Sequence, residues 1–97
     1  MSDLRLTFSD DTDRDLEEIW VYLARYDIDA ADAQITNIVE KCTHLTKMPH
    51  MGTRQDELKL GLRRIIEGNY SIFYLVRDNE VQVVRVLRSN RDFKRHF

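Results

Sequence analysis

The chain contains one cysteine, one proline and three glycines among its 97 residues, and its longest uncharged, mainly apolar run is the seven residues 70–76. The single cysteine, Cys42, excludes an internal disulfide and a CxxC zinc or redox motif. A run of seven is far shorter than the roughly 18 residues of a membrane-spanning helix. The first five residues lack a basic region followed by an apolar one, so no signal peptide is expected. We therefore expect a cytoplasmic protein that does not interact with membranes.

Composition and charge indicate one folded domain over residues 1–97. Hydrophobic residues make up 42% of the chain and charged residues 33%, which is typical of a globular protein. The net charge of −2 conceals an asymmetry. Residues 1–48 contain eleven acids and five bases, a net −6, whereas residues 49–97 contain six acids and ten bases, a net +4. The two halves therefore present different surfaces to partners.

The first half of the chain predicts a strand followed by two helices. Apolar residues at 4, 6 and 8 alternate with polar ones, the period of a half-buried strand. Ser9 and the acids after it predict a helix start, and Asp29 predicts a second one. The apolar stripe of the first helix is Leu16, Ile19, Trp20 and Leu23, and that of the second is Ala31, Ile35, Ile38, Cys42 and Leu45. We expect an αα-hairpin with Trp20 in the core against the sheet.

The second half predicts three strands at residues 62–67, 70–77 and 80–88, after a polar connection at 53–60. Gly68-Asn69 and Asp78-Asn79 join them, and these residues tolerate the positive φ of tight hairpin turns. The predicted class is α+β in the order β-αα-βββ, with an antiparallel sheet and the αα-hairpin packed on one face.

The predicted meander has apolar residues on both faces. Phe73 and Leu75 line one face of the central strand, and Val84 and Val86 are predicted beside them on the next strand. One helical hairpin covers only one face of a small sheet, so we expect a partner on the other. The alternative is that the 53–60 connection and the C-terminal tail fold over this second face.

Basic residues are concentrated near the C-terminus, just before His96 and Phe97. They are Arg85, Arg88, Arg91, Lys94 and Arg95, and Arg63 and Arg64 on the predicted strand at 62–67 belong to the same basic constellation. Such a cluster can bind nucleic acid or an acidic protein surface, and the alternative is a solvated tail whose arginines pair with the acidic helices. His96 is a candidate general acid or base, with an ordinary surface histidine as the alternative.

Metal and cofactor sites are not predicted. The three histidines are far apart in sequence, without ligand-spaced partners. The glycines at 52, 61 and 68 do not have the spacing of a phosphate-binding loop.

Five segments in order resemble the ParE branch of the RelE/ParE toxins. They are LEEIWVY from Leu16, MPHMG from Met48, ELKLGLR from Glu57, YSIFY from Tyr70 and VRVLRSNRD from Val84. The resemblance covers nearly the whole chain. It implies the β-αα-βββ fold and the toxin half of a bacterial toxin–antitoxin operon. It also implies a hetero-oligomer with a cognate antitoxin encoded by a neighbouring gene, for which Phe73, Leu75, Val84 and Val86 are the expected contacts.

The resemblance implies two alternative activities. ParE-like members poison DNA gyrase, which would make Arg88, Arg91, Lys94 and Arg95 the target-binding residues and would require no catalytic group. RelE-like members cut mRNA in the ribosome, and in that alternative His96, Arg91 and Arg64 would be catalytic.

Departures from the RelE-like pattern favour gyrase binding. Ser71 stands where the nucleases place an arginine on the scissile phosphate, and Phe97 stands where they place a tyrosine. Loss of such a cation removes an electrostatic contribution of several kcal/mol. Arg88 departs in turn from the histidine frequent in ParE relatives.

Overall fold

In a computed structural model of the chain, residues 3–97 are described. Met1 and Ser2, which belong to the predicted domain and to the segment inspected for a signal peptide, lie outside the described residues. The elements are β1 (Arg5–Phe8), α1 (Asp10–Ala24), α2 (Ile28–Leu45), β2 (Thr53–Arg54), β3 (Arg63–Glu67), β4 (Tyr70–Arg77) and β5 (Glu80–Arg88), followed by a 3₁₀ helix (Phe93–His96). Within residues 3–97, neither helix is long and apolar enough to cross a membrane.

Side-chain caps determine where the two helices begin. Ser9 Oγ accepts a hydrogen bond from the Thr12 backbone N–H at 3.0 Å, which satisfies a free donor of the first turn of α1. Asp27 does the same for α2 through Ala30 N–H. The cap of α2 therefore lies two residues before the predicted Asp29.

The two predicted hairpin turns join β3 to β4 and β4 to β5. Gly68 has a φ of 60°, and Asp78 and Asn79 have φ values of 53° and 63°. In the Asp78-Asn79 turn both central residues have a positive φ, which follows the right-handed twist of paired strands, whereas in the Gly68-Asn69 turn only Gly68 does. The turn chemistry thus positions β4 in the middle of the meander.

Within residues 3–97, the sheet has five strands in the order β1-β5-β4-β3-β2 and is mixed. The three C-terminal strands form the predicted antiparallel meander, but β1 pairs parallel to β5, with Arg5 opposite Glu80 and Phe8 opposite Val83. Nothing local in a four-residue strand determines which edge of a meander it joins. The α+β class and the predicted element order are confirmed, with the two-residue β2 as an addition.

A β-bulge interrupts the pairing of β4 with β5. Phe73 lies opposite Arg85 while Tyr74 lies opposite Val83, which leaves Val84 as the extra residue. An extra residue reverses the in-and-out alternation beyond it. Val84 therefore contacts the core of the second face, whereas Val86 belongs to the core beneath the helices. The prediction that Val84 and Val86 share a face is wrong for this reason.

The larger core lies between the helices and the sheet. Its fully buried members include Ile38 and Leu45 of α2 and Ile72 and Tyr74 of β4. Trp20 is not part of it: its side chain is 36% exposed and donates an Nε1 hydrogen bond to Asp32 at 2.8 Å.

The prediction for Trp20 is wrong because α1 buries two polar residues. The side of the helix that faces the sheet therefore differs from the predicted apolar stripe. Thr12 is buried and donates its Oγ1 hydrogen bond to the Val83 carbonyl, and Asp15 is buried next along the helix. The centre of the buried stripe is therefore Thr12, Asp15 and Ile19, which leaves Trp20 at its margin.

Candidate functional site

The strand edge beside α1 is open at its C-terminal end. β1 pairs with β5 only from Glu80 to Val83, so residues 84–88 have no strand neighbour on that side within the described chain. The first half of α1 occupies part of this edge. Ser9 Oγ donates to the Val84 carbonyl at 2.9 Å, and Asp15 Oδ2 accepts from the Val86 N–H at 3.0 Å. Beyond Val86 the edge opens into a cleft.

The cleft has a volume of about 440 Å³ and lies between α1, the end of β5 and the C-terminal tail. It is lined by Asp15, Glu18, Ile19, Tyr22, Tyr70, Arg85, Val86, Leu87, Arg88, Arg91 and His96. The structure therefore brings together three of the predicted site residues, Arg88, Arg91 and His96. Lys94 and Arg95 lie outside the cleft and are exposed.

An ion pair between Asp15 and Arg85 forms the floor of this cleft. Arg85 Nε and Nη2 each donate to one carboxylate oxygen at 2.8 Å, and the side chains are only 8% and 21% exposed. The hydrogen bond to Asp15 raises the pKa of Arg85 above its ordinary value, so the guanidinium stays charged. The pair fastens α1 to β5.

Sequence reasoning missed Asp15. The available signal was its position in the stripe, because an acid three residues after Thr12 and four before Ile19 falls on the buried side of an amphipathic helix. A buried acid requires a cationic partner, and an arginine on a neighbouring strand is the usual one.

Arg64, the third residue of the nuclease alternative, does not line the cleft. Its Nε donates to Ser71 Oγ at 2.8 Å, and its Cζ lies 4.9 Å from the centre of the Phe93 ring. Ser71 is fully buried, and its hydroxyl also shares a 2.9 Å hydrogen bond with Ser89. Arg64 therefore does not share the cleft that Arg91 and His96 line.

The second face of the sheet is covered by the chain itself. Phe73 is fully buried, and its ring centre lies 4.9 Å from those of Phe93 and Phe97, both in edge-on contacts. Leu58 from the 53–60 connection packs on the same cluster. The expectation of an uncovered apolar face is wrong, and the alternative of a covering connection and tail is confirmed.

Comparison with family models and with curated proteins identifies the family. A protein-family model with the description "ParE toxin of type II toxin-antitoxin system, parDE" matches residues 6–93. The chain belongs to this family. The toxin is 30% identical over 83 residues to Toxin ParE1 of Mycobacterium tuberculosis and 28% identical over 83 residues to Toxin ParE1 of Caulobacter vibrioides. Each alignment covers 84% of this chain and 85% of the relative.

Two solved structures share the fold. One belongs to the chromosomal ParDE toxin–antitoxin system of P. aeruginosa, with a TM-score of 0.73, 22% identity and coverage of 88% of this chain and 95% of that chain. The other is the toxin–antitoxin complex RelBE2 of Mycobacterium tuberculosis, with a TM-score of 0.63, 19% identity and coverage of 90% and 99%. The fold of this toxin is therefore the RelE/ParE α+β fold.

The MPHMG segment of the toxin has a structural role. Tyr74 Oη donates to the Pro49 carbonyl and accepts from the Gly52 N–H, both at 2.8 Å. A Cβ at Gly52 would lie 2.5 Å from that oxygen, so only glycine fits there. Burial raises the pKa of Tyr74 above its ordinary value. The segment thus anchors the loop after α2 to β4.

The remaining candidate groups do not assemble a metal or nucleophile site. Among residues 3–97, no three His, Cys, Asp or Glu side chains are placed to hold a metal ion. His44 lies exposed on α2 and His50 lies exposed in the loop that follows. Burial raises the pKa of the Cys42 thiol to about 12, so it is an unreactive core residue at neutral pH.

Proposed function

We propose that this toxin is a cytoplasmic protein that acts by binding DNA gyrase and is neutralised by a protein antitoxin encoded next to it. Membership of the ParE toxin family supports the antitoxin partner, as does the RelBE2 neighbour, which is a toxin–antitoxin complex. The choice of gyrase over mRNA rests on the arrangement of the basic residues.

The observation that favours binding over catalysis is that Arg64 does not line the cleft that His96 and Arg91 share. A nuclease needs a phosphate-stabilising cation and a proton-transfer group around one scissile bond. Here Arg64 is held by Ser71 and stacked on Phe93, while His96 lines the cleft beside α1. Phe97 supplies no hydroxyl to exchange a proton. A protein that only binds its target does not need a cation and a proton-transfer group at the same point.

The target-binding surface in this proposal is the basic end of the chain, Arg88, Arg91, Lys94 and Arg95. Asp92 caps the 3₁₀ helix by accepting from Lys94 N–H at 3.2 Å, which orders the backbone that carries the exposed Lys94 and Arg95. Exposed charges on an ordered segment provide electrostatic complementarity to an acidic protein surface.

A second candidate, the ribosome-dependent nuclease, is favoured by one observation. His96 is partly buried and lines the same cleft as Arg88 and Arg91, so a histidine and two cations are within one cavity. In that case His96→Gln should reduce mRNA cleavage about 100-fold or more, the scale of a general acid–base group.

Induction of the toxin alone in a bacterial host separates the two candidates. We expect DNA double-strand breaks and loss of supercoiling while the mRNA pool stays intact, and we expect the His96→Gln variant to behave like the parent. Codon-specific mRNA cleavage that disappears in His96→Gln would establish the nuclease instead. Co-expression of the neighbouring gene's product should restore growth in either case, and that result tests the antitoxin separately.

A further inference from the structure

We propose that the cleft between α1 and the end of β5 binds an acidic peptide segment of the antitoxin, with a carboxylate on Arg88 and Arg91 and an apolar side chain against Tyr22. This inference rests on the antitoxin partner of the proposed function. It assigns that partner to a surface different from the second face of the sheet.

Of the three arginines that line the cleft, one already has a carboxylate partner in the described part of the chain and two do not. Arg85 donates two hydrogen bonds to the Asp15 carboxylate, which neutralises its charge. Within residues 3–97, neither Arg88 nor Arg91 lies within 4.0 Å of a carboxylate oxygen, since all the ion pairs there involve other arginines. The one remaining acid of the lining is Glu18, on α1. Two guanidinium groups thus remain available, and a carboxylate is a ligand that such groups bind bidentately.

The opposite wall of the cleft, on α1, combines the apolar groups of Ile19 and Tyr22 with the carboxylate of Glu18 and continues onto the surface of the helix. Tyr22 is 45% exposed and, together with Glu18, also lines a shallow groove that runs past Val21 and Arg25. Tyr26 is also exposed, and its ring contacts that of Tyr22 edge-on with a distance of 5.8 Å between the ring centres. A ligand that extends from the two arginines along this wall meets aromatic and aliphatic side chains, so it must carry apolar groups beside its acids.

The acids of α1 favour a peptide over a nucleic acid. Glu17 and Glu18 line the shallow groove, and Asp11 and Asp13 are exposed on the same helix. A phosphate backbone carries a charge at every nucleotide and would pass these carboxylates. A peptide can place a single acid at the arginines and apolar residues next to Tyr22, which matches the charges on the two walls.

The peptide is held by its side chains and not by strand addition. A strand added to the free edge of β5 would need the Val86 N–H as a donor. Asp15 already accepts from that N–H at 3.0 Å and is locked by Arg85. The edge is therefore closed to main-chain pairing at this point, and the cationic and aromatic side chains beyond it remain for recognition.

The test uses a labelled peptide with one glutamate followed by leucine and phenylalanine, and a control peptide with glutamine in place of that glutamate. Fluorescence anisotropy gives the affinities for the full chain, and amide spectra of the ¹⁵N-labelled protein map the site. We expect the acidic peptide to bind at least tenfold more tightly than the glutamine peptide, with shifts at Tyr22 and residues 85–91.

Matched variants distinguish the cleft from general charge attraction. Arg88→Gln with Arg91→Gln should weaken the acidic peptide at least tenfold, and Arg91→Gln alone, at an exposed position, should give a smaller loss with an unchanged thermal melt. Lys47→Gln with Arg77→Gln removes the same charge at exposed positions outside the cleft and should leave the affinity unchanged.

Three results would overturn the proposal: equal weakening by both double variants, shifts confined to Leu75 and Val84 on the second face, or displacement of the peptide by single-stranded DNA at lower concentration than the peptide itself. None of these measurements contains gyrase. Their failure therefore leaves the gyrase proposal intact, and a toxin that spares gyrase could still bind the acidic peptide.

Discussion

The two faces of the sheet are covered by different kinds of structure. On the helix face, α1 and α2 cover the strands, and α2 contributes Ile38, Cys42 and Leu45 as fully buried residues. On the second face, the cover consists of Leu58 from a connection and Phe93 and Phe97 from the tail. No residue of the 3₁₀ helix is buried. The first cover is therefore integral to the fold, whereas the second is a thin layer at the surface.

This difference places the candidate site on the weaker cover. His96, Lys94 and Arg95 belong to the 3₁₀ helix of the tail, and Arg91 lies just before it. Segments with few buried contacts are the ones that open most readily. Most of the charges proposed to bind the target are therefore on the less deeply packed of the two covers.

The largest loss of stability should come from the helix face. Ile38→Ala leaves a cavity at a fully buried position and should lower the free energy of unfolding by about 2 to 5 kcal/mol. Urea denaturation measures this change. Val39→Ala, at an exposed neighbour in the same helix, is the control and should change it by less than about 1 kcal/mol.

The second-largest loss of stability is expected when the Asp15–Arg85 ion pair is removed, because this pair joins α1 to β5. Asp15→Ala leaves Arg85 without its carboxylate and the Val86 N–H without its acceptor, which should cost about 3 kcal/mol. The exposed Asp13→Ala is the matched control. Equal, small effects of both substitutions in urea denaturation would mean that the pair does not fasten α1 to β5.

Removal of a tail side chain that covers the second face should lower the free energy of unfolding by less than either of these substitutions. Phe93 is only partly buried, so Phe93→Ala should lower stability by about 1 to 2 kcal/mol, below the range for fully buried phenylalanines. Hydrogen exchange should show faster exchange of the β4 amides near Phe73, with the helices unaffected. A loss as large as that of Ile38→Ala would contradict the distinction between an integral and a thin cover.

The smallest effect is expected at Trp20. Its side chain is partly exposed at the margin of the buried stripe of α1. Beyond the contribution of the lost hydrogen bond to Asp32, Trp20→Phe should therefore change the free energy of unfolding by less than about 1 kcal/mol. The parent's fluorescence should be that of a partly hydrated indole. A strongly blue-shifted emission would place Trp20 in the core after all.

Local patterns in the sequence predicted most of the elements, and long-range contacts decided the rest. The helix stripes and the turn residues Gly68, Asp78 and Asn79 carry their signal within a few neighbours, and the strands at 70–77 and 80–88 match the structure residue for residue. The parallel partner of β1 depends on a contact between residues 75 positions apart, for example Arg5 and Glu80. No local period encodes such a choice.

Two errors concerning the site have similar causes. The bulge beside Phe73 adds one residue and reverses the faces after Val84, and no proline or glycine at that position marks it. Phe93 and Phe97 are separated by charged residues and show no apolar period, so a covering role could be stated only as an alternative. The clustering of Arg88, Arg91 and His96 was predictable because they are close in sequence.

A supercoiling assay with purified DNA gyrase and no ribosomes tests the central claim most directly, namely that the basic tail binds a protein target and performs no proton transfer. The parent toxin and His96→Gln should inhibit gyrase equally, whereas Arg91→Glu with Lys94→Glu should lose inhibition while the thermal melt stays unchanged. Unimpaired supercoiling in the presence of the parent toxin, together with His96-dependent cleavage of mRNA on ribosomes, would contradict the account.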